Sequence, residues 1–181
     1  LGIETFSGCS SLTEITIPPT IRIIKNSTFK SCSSLEEISL PKSVIKLGKK
    51  SFEGCKSLKK IEIPSSVNYI GSNAFNDCPS LSYISILSPS VEIEDNIFTG
   101  IKEIELSKSM KIIPNKTFYK CNTLKRIIIP TTITDLGIET FSGCSSLTEI
   151  TIPSKITKIK ARTFKDCSSL KHITIPESIT E

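Results

Sequence analysis

The chain has 181 residues, of which 38% are hydrophobic and 23% are charged, and its formal net charge at pH 7 is +5. This composition is typical of one folded domain or one repeat array and argues against disorder. Lysine and glutamate alternate along the chain instead of forming one basic block, so the charge does not indicate a nucleic-acid-binding protein. The sequence also lacks any run of about 18 apolar residues that could insert into a membrane.

The first recurring element is a phenylalanine, spaced by 23 residues with a single step of 20. A fixed period of about 20 to 29 residues is typical of a solenoid. Three residues after each Phe, with one exception, stands a cysteine, and this spacing places both side chains on one face of a helical turn. The sequence therefore predicts a short helical turn in each coil, at Phe6, Phe29, Phe52, Phe75, Phe98, Phe118, Phe141 and Phe164.

The second element follows the cysteine and reads L-x-x-I-x-I-P, as in Leu58, Ile61, Ile63 and Pro64. Its alternation has the period of a β-strand, and proline ends the strand because it has no N–H to donate to a ladder. Further apolar residues, four and seven positions past the last Ile, face inward from the returning wall. We predict an α/β repeat: a right-handed solenoid with one parallel sheet, short helical turns and loops on the other walls, and about eight coils of 23 residues.

The complete pattern occurs, for example, at Ile70, Phe75, Cys78, Leu81, Ile84 and Ile86. It resembles the BspA-like class of leucine-rich repeats. The resemblance covers nearly the whole chain. It implies a leucine-rich-repeat solenoid, horseshoe-shaped or gently curved. That class occurs in surface proteins of oral and gut bacteria and in protist parasites, so the resemblance also implies adhesion or binding of host proteins.

The pattern is broken once, near 87–106. Leu87 replaces the strand-ending proline, the turn at Phe98 lacks its cysteine, and three residues are missing before Ile101. The segment includes Pro89 and Ser90. We interpret it as a shortened, irregular repeat that changes the local curvature, rather than as a dedicated site.

Residues 1–18 and 136–153 are identical, whereas the other coils agree mainly at core positions. Packing does not require identical surface residues, so a recent duplication inside a long array explains the identity best. The chain also begins in mid-pattern at Leu1, and its single methionine is Met110. We therefore expect residues 1–181 to form a single solenoid that is a fragment of a longer array. Uncapped ends of this kind also predict end-to-end self-association.

The residues suggest no catalytic or cofactor chemistry. Stacked cysteines are read as a column of free buried thiols, because equivalent residues point their Cβ atoms in parallel and would strain a disulfide. A zinc site needs converging ligands, and His172 is the only histidine. The acidic segment from Glu92 to Asp95, with Glu103 and Glu105, has no calcium-loop spacing and is interpreted as a solvated edge. We expect neither an enzyme nor a metal site.

The residues between the inward Leu and Ile positions form two outward columns on the strand face. Aromatic, basic and apolar side chains interrupt a Ser/Thr background in the third to sixth strands. The predicted binding site for a protein partner, such as a host matrix or serum protein, consists of Lys60, Glu62, Tyr83, Glu103, Glu105, Arg126 and Ile128. The alternative is a structural spacer without a ligand. Either role places the parent protein at the cell surface or outside the cell.

Overall fold

The structure is a computed structural model that describes residues 1–88 and 91–180. Short strands are its regular elements, and each contains two to four residues. In chain order they are β1 (Ile23–Ile24), β2 (Lys46–Leu47), β3 (Lys60–Ile63), β4 (Tyr69–Ile70), β5 (Tyr83–Ile86), β6 (Glu92–Ile93), β7 (Glu103–Leu106), β8 (Ile112–Ile113), β9 (Arg126–Ile128), β10 (Asp135–Leu136), β11 (Glu149–Thr151) and β12 (His172–Thr174).

The strands line two walls of a solenoid. On the first wall, which we call the strand face, β3, β5, β7 and β9 form one parallel ladder, and β11 pairs with β12. On the second, the returning wall, β1, β2, β4 and β6 form another parallel ladder, and β8 pairs with β10. The predicted solenoid of parallel strands, with repeats of about 23 residues, is confirmed. The returning wall carries sheet as well, because its residues also alternate between outward and buried positions.

The helical turns expected around the phenylalanines are absent from the described ranges, where hydrogen-bonded turns replace them. Around Phe52, Lys50 has φ of 57° and Gly54 has φ of 75°. A helix needs negative φ at successive residues, so these two left-handed positions prevent one from forming. The N–H of Phe52 donates instead to the carbonyl oxygen of Ala74 in the next coil, at 2.8 Å. In residues 1–88 and 91–180 there is no helix that is long and apolar enough to cross a membrane.

The core is built from columns of equivalent side chains, one from each coil. The phenylalanine rings stack with centroid distances between 5.3 and 5.8 Å. Burial of the cysteines, predicted for every coil, is confirmed in the inner coils and wrong at the ends, and the phenylalanines follow the same trend. Phe6 and Phe164 are only partly buried, and Cys9 is exposed. The reason is that an end coil is covered on one side only.

The shortened repeat near 87–106 is accommodated differently on the two walls. On the strand face Ile84 lies beside Leu106, whereas the motif alignment places it beside Ile104. The register has therefore slipped by two positions between β5 and β7. Between β7 and β9 the motif alignment returns, with Ile104 beside Ile127. On the returning wall, within the described part of the chain, no strand pairing joins β6 to β8.

At the start of the irregular repeat, the strand that ends at Ile86 is followed by one additional hydrogen bond between coils. Leu87 stands where Pro64 ends the preceding strand. Its N–H donates to the carbonyl oxygen of Ile63 at 3.0 Å, and its side chain is exposed. Losing the proline thus extends the ladder by one bond, since leucine restores the N–H that proline lacks. Pro89 and Ser90, which follow, lie outside the described residues.

Candidate protein-binding site

The predicted site residues lie on the strand face in two rows that run across the strands. The first row consists of Lys60, Tyr83, Glu105 and Ile128. The second row contains Glu103 and Arg126. The column expected from the motif, with Tyr83 beside Glu103, is wrong because the register slips at this junction. Glu62 lies beside Ser85, next to the first row.

Exposure differs among these residues. Tyr83 is half-buried and the other six are exposed. Ile128 is 67% exposed, which makes it the most exposed of the large hydrophobic residues in the described part of the chain. A single exposed apolar residue is normal on a soluble protein. Ile128 becomes a candidate anchor through its place in one row with Tyr83, because aromatic and apolar anchors tend to cluster in binding sites.

Two shallow depressions flank Tyr83 on the strand face. The first, of about 360 Å³, is lined by residues that include Glu103, Glu105, Lys108, Arg126, Ile128 and Pro130. The second, of about 740 Å³, is lined by residues that include Glu37, Lys60, Glu62, Pro64 and Leu87. Tyr83 pairs with Lys60 on one side and with Glu105 on the other. The site is therefore an open surface with a central aromatic residue, and not an enclosed small-molecule pocket.

Ion pairs link outward side chains of neighbouring coils. The Lys60 Nζ atom lies 2.8 Å from Glu37 Oε2. This hydrogen bond from the ammonium group lowers the pKa of Glu37 and raises that of Lys60. The Arg126 Nε atom lies 3.5 Å from Glu149 Oε1. Arg126 is therefore paired with the following strand, in addition to lying beside Glu103.

The returning wall holds a polar cluster that the sequence pattern did not reveal. The Tyr69 hydroxyl donates to Glu94 Oε1 at 2.5 Å, and the N–H of Ser72 donates to Glu94 Oε2 at 2.9 Å. The Lys49 Nζ atom lies 3.4 Å from the same carboxylate, and the Lys46 Nζ atom lies 4.1 Å from the centre of the Tyr69 ring. The hydrogen bond from Tyr69 is the main cause that lowers the pKa of Glu94 to about 2.

This cluster corrects the interpretation of the acidic segment as a solvated edge, since Glu94 is half-buried and hydrogen-bonded. Burial, followed by the hydrogen bond to Glu94, raises the pKa of Tyr69 to about 12. The 23-residue period of the sequence could have predicted one contact of this cluster, because it places Lys46 and Tyr69 at equivalent positions of neighbouring coils. The period could not predict the contacts of Glu94.

The cysteines form a hydrogen-bonded column. The Cys55 thiol donates to the carbonyl oxygen of Phe29 at 3.2 Å, and the Cys78 thiol donates to that of Phe52 at the same distance. Burial raises the pKa of the Cys78 thiol to about 12. His172 lies on an exposed strand. Among the described residues, no three His, Cys, Asp or Glu side chains group as ligands for a metal ion.

Comparison with known proteins identifies the repeat. The family description "BspA type Leucine rich repeat region (6 copies)" matches residues 1–102 and 99–181. A leucine-rich-repeat protein of T. pallidum is 27% identical, with a TM-score of 0.57 over 80% of this chain and 69% of that chain. No curated protein matches significantly.

Two further solved structures are similar. The pneumococcal vaccine antigen PcpA is 22% identical, with a TM-score of 0.50 over 92% of this chain and 51% of that one. A leucine-rich cell-surface protein of Faecalibacterium prausnitzii is 25% identical, with a TM-score of 0.49 over 94% of this chain and 62% of that one. The phenylalanine, cysteine and strand columns described above, together with the family match over both halves of the sequence, show that this chain belongs to the BspA-type leucine-rich-repeat family.

Proposed function

We propose that this chain is a non-catalytic protein-binding module of a surface or secreted protein. Its partner would lie across the strand face, at Lys60, Glu62, Tyr83, Glu103, Glu105, Arg126 and Ile128. The observation that carries this proposal is the slipped register between β5 and β7. It brings Tyr83 and Ile128 into one row on either side of Glu105, with a depression next to each.

The types of these residues support binding. Tyrosine and arginine are enriched among the side chains that dominate interface energies, and such side chains cluster near the centre of an interface. Tyr83 and Arg126 lie two strands apart and are offset by two residues along the strand. Their backbones are therefore separated by about 12 Å, at about 4.8 Å per strand and about 3.3 Å per residue. Both residues fit within one standard interface, which buries about 800 Å² on each partner.

The charge of the face indicates the type of partner. The two outward columns contain six glutamates but only Lys60 and Arg126 as basic residues, although the chain as a whole is basic. Lysines line the edge where the strands begin, at Lys59, Lys102, Lys125 and Lys171. Charge complementarity therefore favours a partner whose central contact surface is basic. We propose that this partner is a host matrix or serum protein. The chain belongs to the BspA-type leucine-rich-repeat family, and this class of repeat occurs in surface proteins.

A structural spacer is the second candidate. The pairs Lys60–Glu37, Lys59–Glu36 and Arg126–Glu149 already place opposite charges together on neighbouring coils. Exposed ion pairs of this kind contribute little to stability, because water screens the attraction between the charges. A face of this type needs no ligand, and it would keep other parts of a long surface protein at a distance.

The two candidates differ in a direct binding experiment. The folded chain would be immobilised and tested by surface plasmon resonance against purified matrix and serum proteins, one at a time. For any protein that binds, Tyr83→Ala combined with Arg126→Ala should weaken binding by at least about 2 kcal/mol, which is about thirtyfold in Kd. The control is Thr16→Ala combined with Thr174→Ala, on the same face but in outer coils, and it should bind like the unmodified chain.

Two outcomes would contradict this proposal. Unchanged affinity in a folded double variant would place the site elsewhere, first around Lys49 on the returning wall and then at the acidic segment from Glu92 to Asp95. Absence of binding across the whole set of proteins would favour the spacer. Circular dichroism and thermal unfolding of each variant establish that the fold is retained.

A further inference from the structure

The junction between the coils that contain Phe98 and Phe118 lacks backbone hydrogen bonds that join the other coils. These are the fifth and sixth coils of the chain. At each of the other six junctions, three N–H groups around the phenylalanine donate to carbonyl oxygens of the next coil. Among the described residues, the N–H groups of Asn96 and Phe98 have no such acceptor, and the N–H of Gly100 donates to the Thr123 hydroxyl at 3.0 Å. Side chains therefore replace the backbone ladder in the turns at this junction.

The phenylalanine column is also distorted here. The Phe98 and Phe118 rings are tilted by 34°, and their centroids lie 5.8 Å apart. The other neighbouring rings are inclined by at most 14°, with centroids at most 5.6 Å apart. Three residues are missing between Phe98 and Ile101, so the turn of the fifth coil is too short to follow the turn of the sixth. The column of rings remains continuous, but these two coils do not stack in parallel.

Pro114 opens the returning wall at the same junction. Its counterparts Gly48, Gly71 and Gly137 donate their N–H groups to carbonyl oxygens of the preceding coil at 2.8–2.9 Å. An added Cβ at these glycines would lie 2.3–2.6 Å from backbone atoms of the preceding coil. Proline has no N–H and carries a Cβ, so the sixth coil can neither form this bond nor approach the fifth coil as closely. Glu94, the counterpart in the fifth coil, also has a Cβ but keeps its N–H, which donates to the preceding coil at 3.0 Å.

The strand face is where backbone pairing is kept. β7 and β9 pair at three positions, and the N–H of Lys125 donates to the carbonyl oxygen of Lys102 at 2.7 Å. The turns add an ion pair, with the Lys116 Nζ atom 3.5 Å from Asp95 Oδ1, but both side chains are exposed and water screens the attraction. The junction of the seventh and eighth coils also lacks strand pairing on the returning wall, yet it keeps its three turn bonds. Within the described residues, backbone bonds thus hold the fifth and sixth coils together on one wall only.

We infer that this junction is a hinge, about which residues 1–106 and 107–181 rotate as two blocks. The axis lies along β7 and β9, because the pairing kept there resists separation. A junction with few backbone hydrogen bonds opens at a lower cost in free energy than its neighbours. Rotation that separates the Phe98 and Phe118 turns makes the strand face more concave. Tyr83 moves with the first block and Ile128 with the second, so the hinge sets the angle between these two side chains.

Spin labels on the returning wall measure this rotation without any ligand, so the result does not depend on the proposed function. Arg22, Asn68 and Lys111 occupy the same repeat position, and all three are exposed. Each neighbouring pair spans two junctions, so regular stacking separates their backbones by about 10 Å at about 4.8 Å per coil. The pair Asn68 and Lys111 spans the hinge. The pair Arg22 and Asn68 lies within the first block and is the matched control.

The two labelled chains carry Asn68→Cys with either Lys111→Cys or Arg22→Cys. Cys9 and Cys167, the two cysteines that are not buried, are first changed to serine. Dipolar broadening in electron paramagnetic resonance of frozen samples then gives the distribution of distances. We expect a narrow distribution for the control and, across the hinge, a longer mean with a width at least about twofold larger. A width across the junction no larger than that of the control, whatever the mean, would show a rigid bend and overturn the inference.

Pro114→Gly tests the cause of the hinge. It restores the N–H and removes the Cβ, as at the equivalent Gly48, Gly71 and Gly137, so the width across the junction should fall towards that of the control. A second variant replaces residues 99–101 by Ser-Gly-Cys-Ser-Ser-Leu, the sequence of residues 142–147, which restores the 23-residue period. It should also narrow the distribution, because the turns can then form their backbone bonds.

Circular dichroism establishes that each variant is folded. If Pro114→Gly does not fold, the restored period provides the same test of the cause. If neither variant folds, the two label pairs in the otherwise unmodified chain still decide between a hinge and a rigid bend. An unchanged width in both folded variants would contradict the inference, since neither the missing bonds nor the missing residues would then account for the motion.

Discussion

Tyr83 lies directly beside Glu105 in the parallel ladder of the strand face. Glu103, two residues earlier on the same strand, lies beside Arg126 instead. Directly opposed side chains on neighbouring strands interact by roughly 0.2–1 kcal/mol, and diagonal ones interact less. The slipped register therefore decides which glutamate is coupled to the candidate anchor.

Double-mutant cycles should detect this pairing in the folding free energy. We expect Tyr83→Ala and Glu105→Ala to show a coupling of about 0.5 kcal/mol in urea unfolding, because they remove one opposed pair. The control cycle combines Tyr83→Ala with Glu103→Ala and should be additive within error. Coupling to Glu103 alone would show that β5 and β7 keep the motif alignment.

The Ser51 hydroxyl is buried and has no hydrogen-bond partner among the residues that the structure describes, whereas the equivalent Thr117 hydroxyl donates to the carbonyl oxygen of Pro114 at 2.9 Å. The next coil has Ala74 at this position. Ser51→Ala should raise the free energy of unfolding by about 1 kcal/mol, because it removes an unsatisfied buried polar group. Chemical denaturation measures the change. Thr117→Val, which removes a satisfied hydroxyl, should lower stability, and a loss of stability in Ser51→Ala would contradict the prediction.

Acid should weaken the returning wall through Glu94. Hydrogen bonding in the folded state lowers the pKa of this carboxylate from 4.5 to about 2. The carboxylate therefore stabilises the fold fully above pH 4.5, and this contribution is lost as the pH falls from 4.5 towards 2. Glu94→Gln should flatten the dependence of thermal stability on pH in this window. Glu92→Gln, on the same strand segment but exposed, is the control and should keep the slope of the unmodified chain.

The cysteines should separate into classes by their reactivity. Burial raises the pKa of Cys32 to about 11 and that of Cys121 to about 12, so both remain protonated and unreactive at neutral pH. Cys9 is exposed and should be alkylated first in the native protein, as followed by mass spectrometry in a dilute sample. The Cys9→Ser variant should lose this fast reaction. Rapid native modification of Cys78 would disprove the buried column.

The sequence alone determined the repeat, the inward columns and the strand face. These features follow from local periodicity: Phe, Cys and Ile recur at equivalent positions, and each coil must bury them against the next because it cannot form a core by itself. The placement of Lys60, Glu62, Arg126 and Ile128 on an exposed wall follows from the same alternation. The two left-handed residues that replace the expected helical turn carry no such signal. The first of them is never glycine, and the second is glycine in four coils but Ser, Asp or Lys in the other four.

Only the tertiary structure decided the register between β5 and β7 and the cluster around Glu94. Each depends on how one coil rests on another and not on the pattern within a coil. Where three residues are missing, the sequence permits more than one alignment of the strands, and packing selects the one that places Ile84 beside Leu106. Tyr69 and Glu94 meet for the same reason, because stacking brings together side chains that are distant in the sequence.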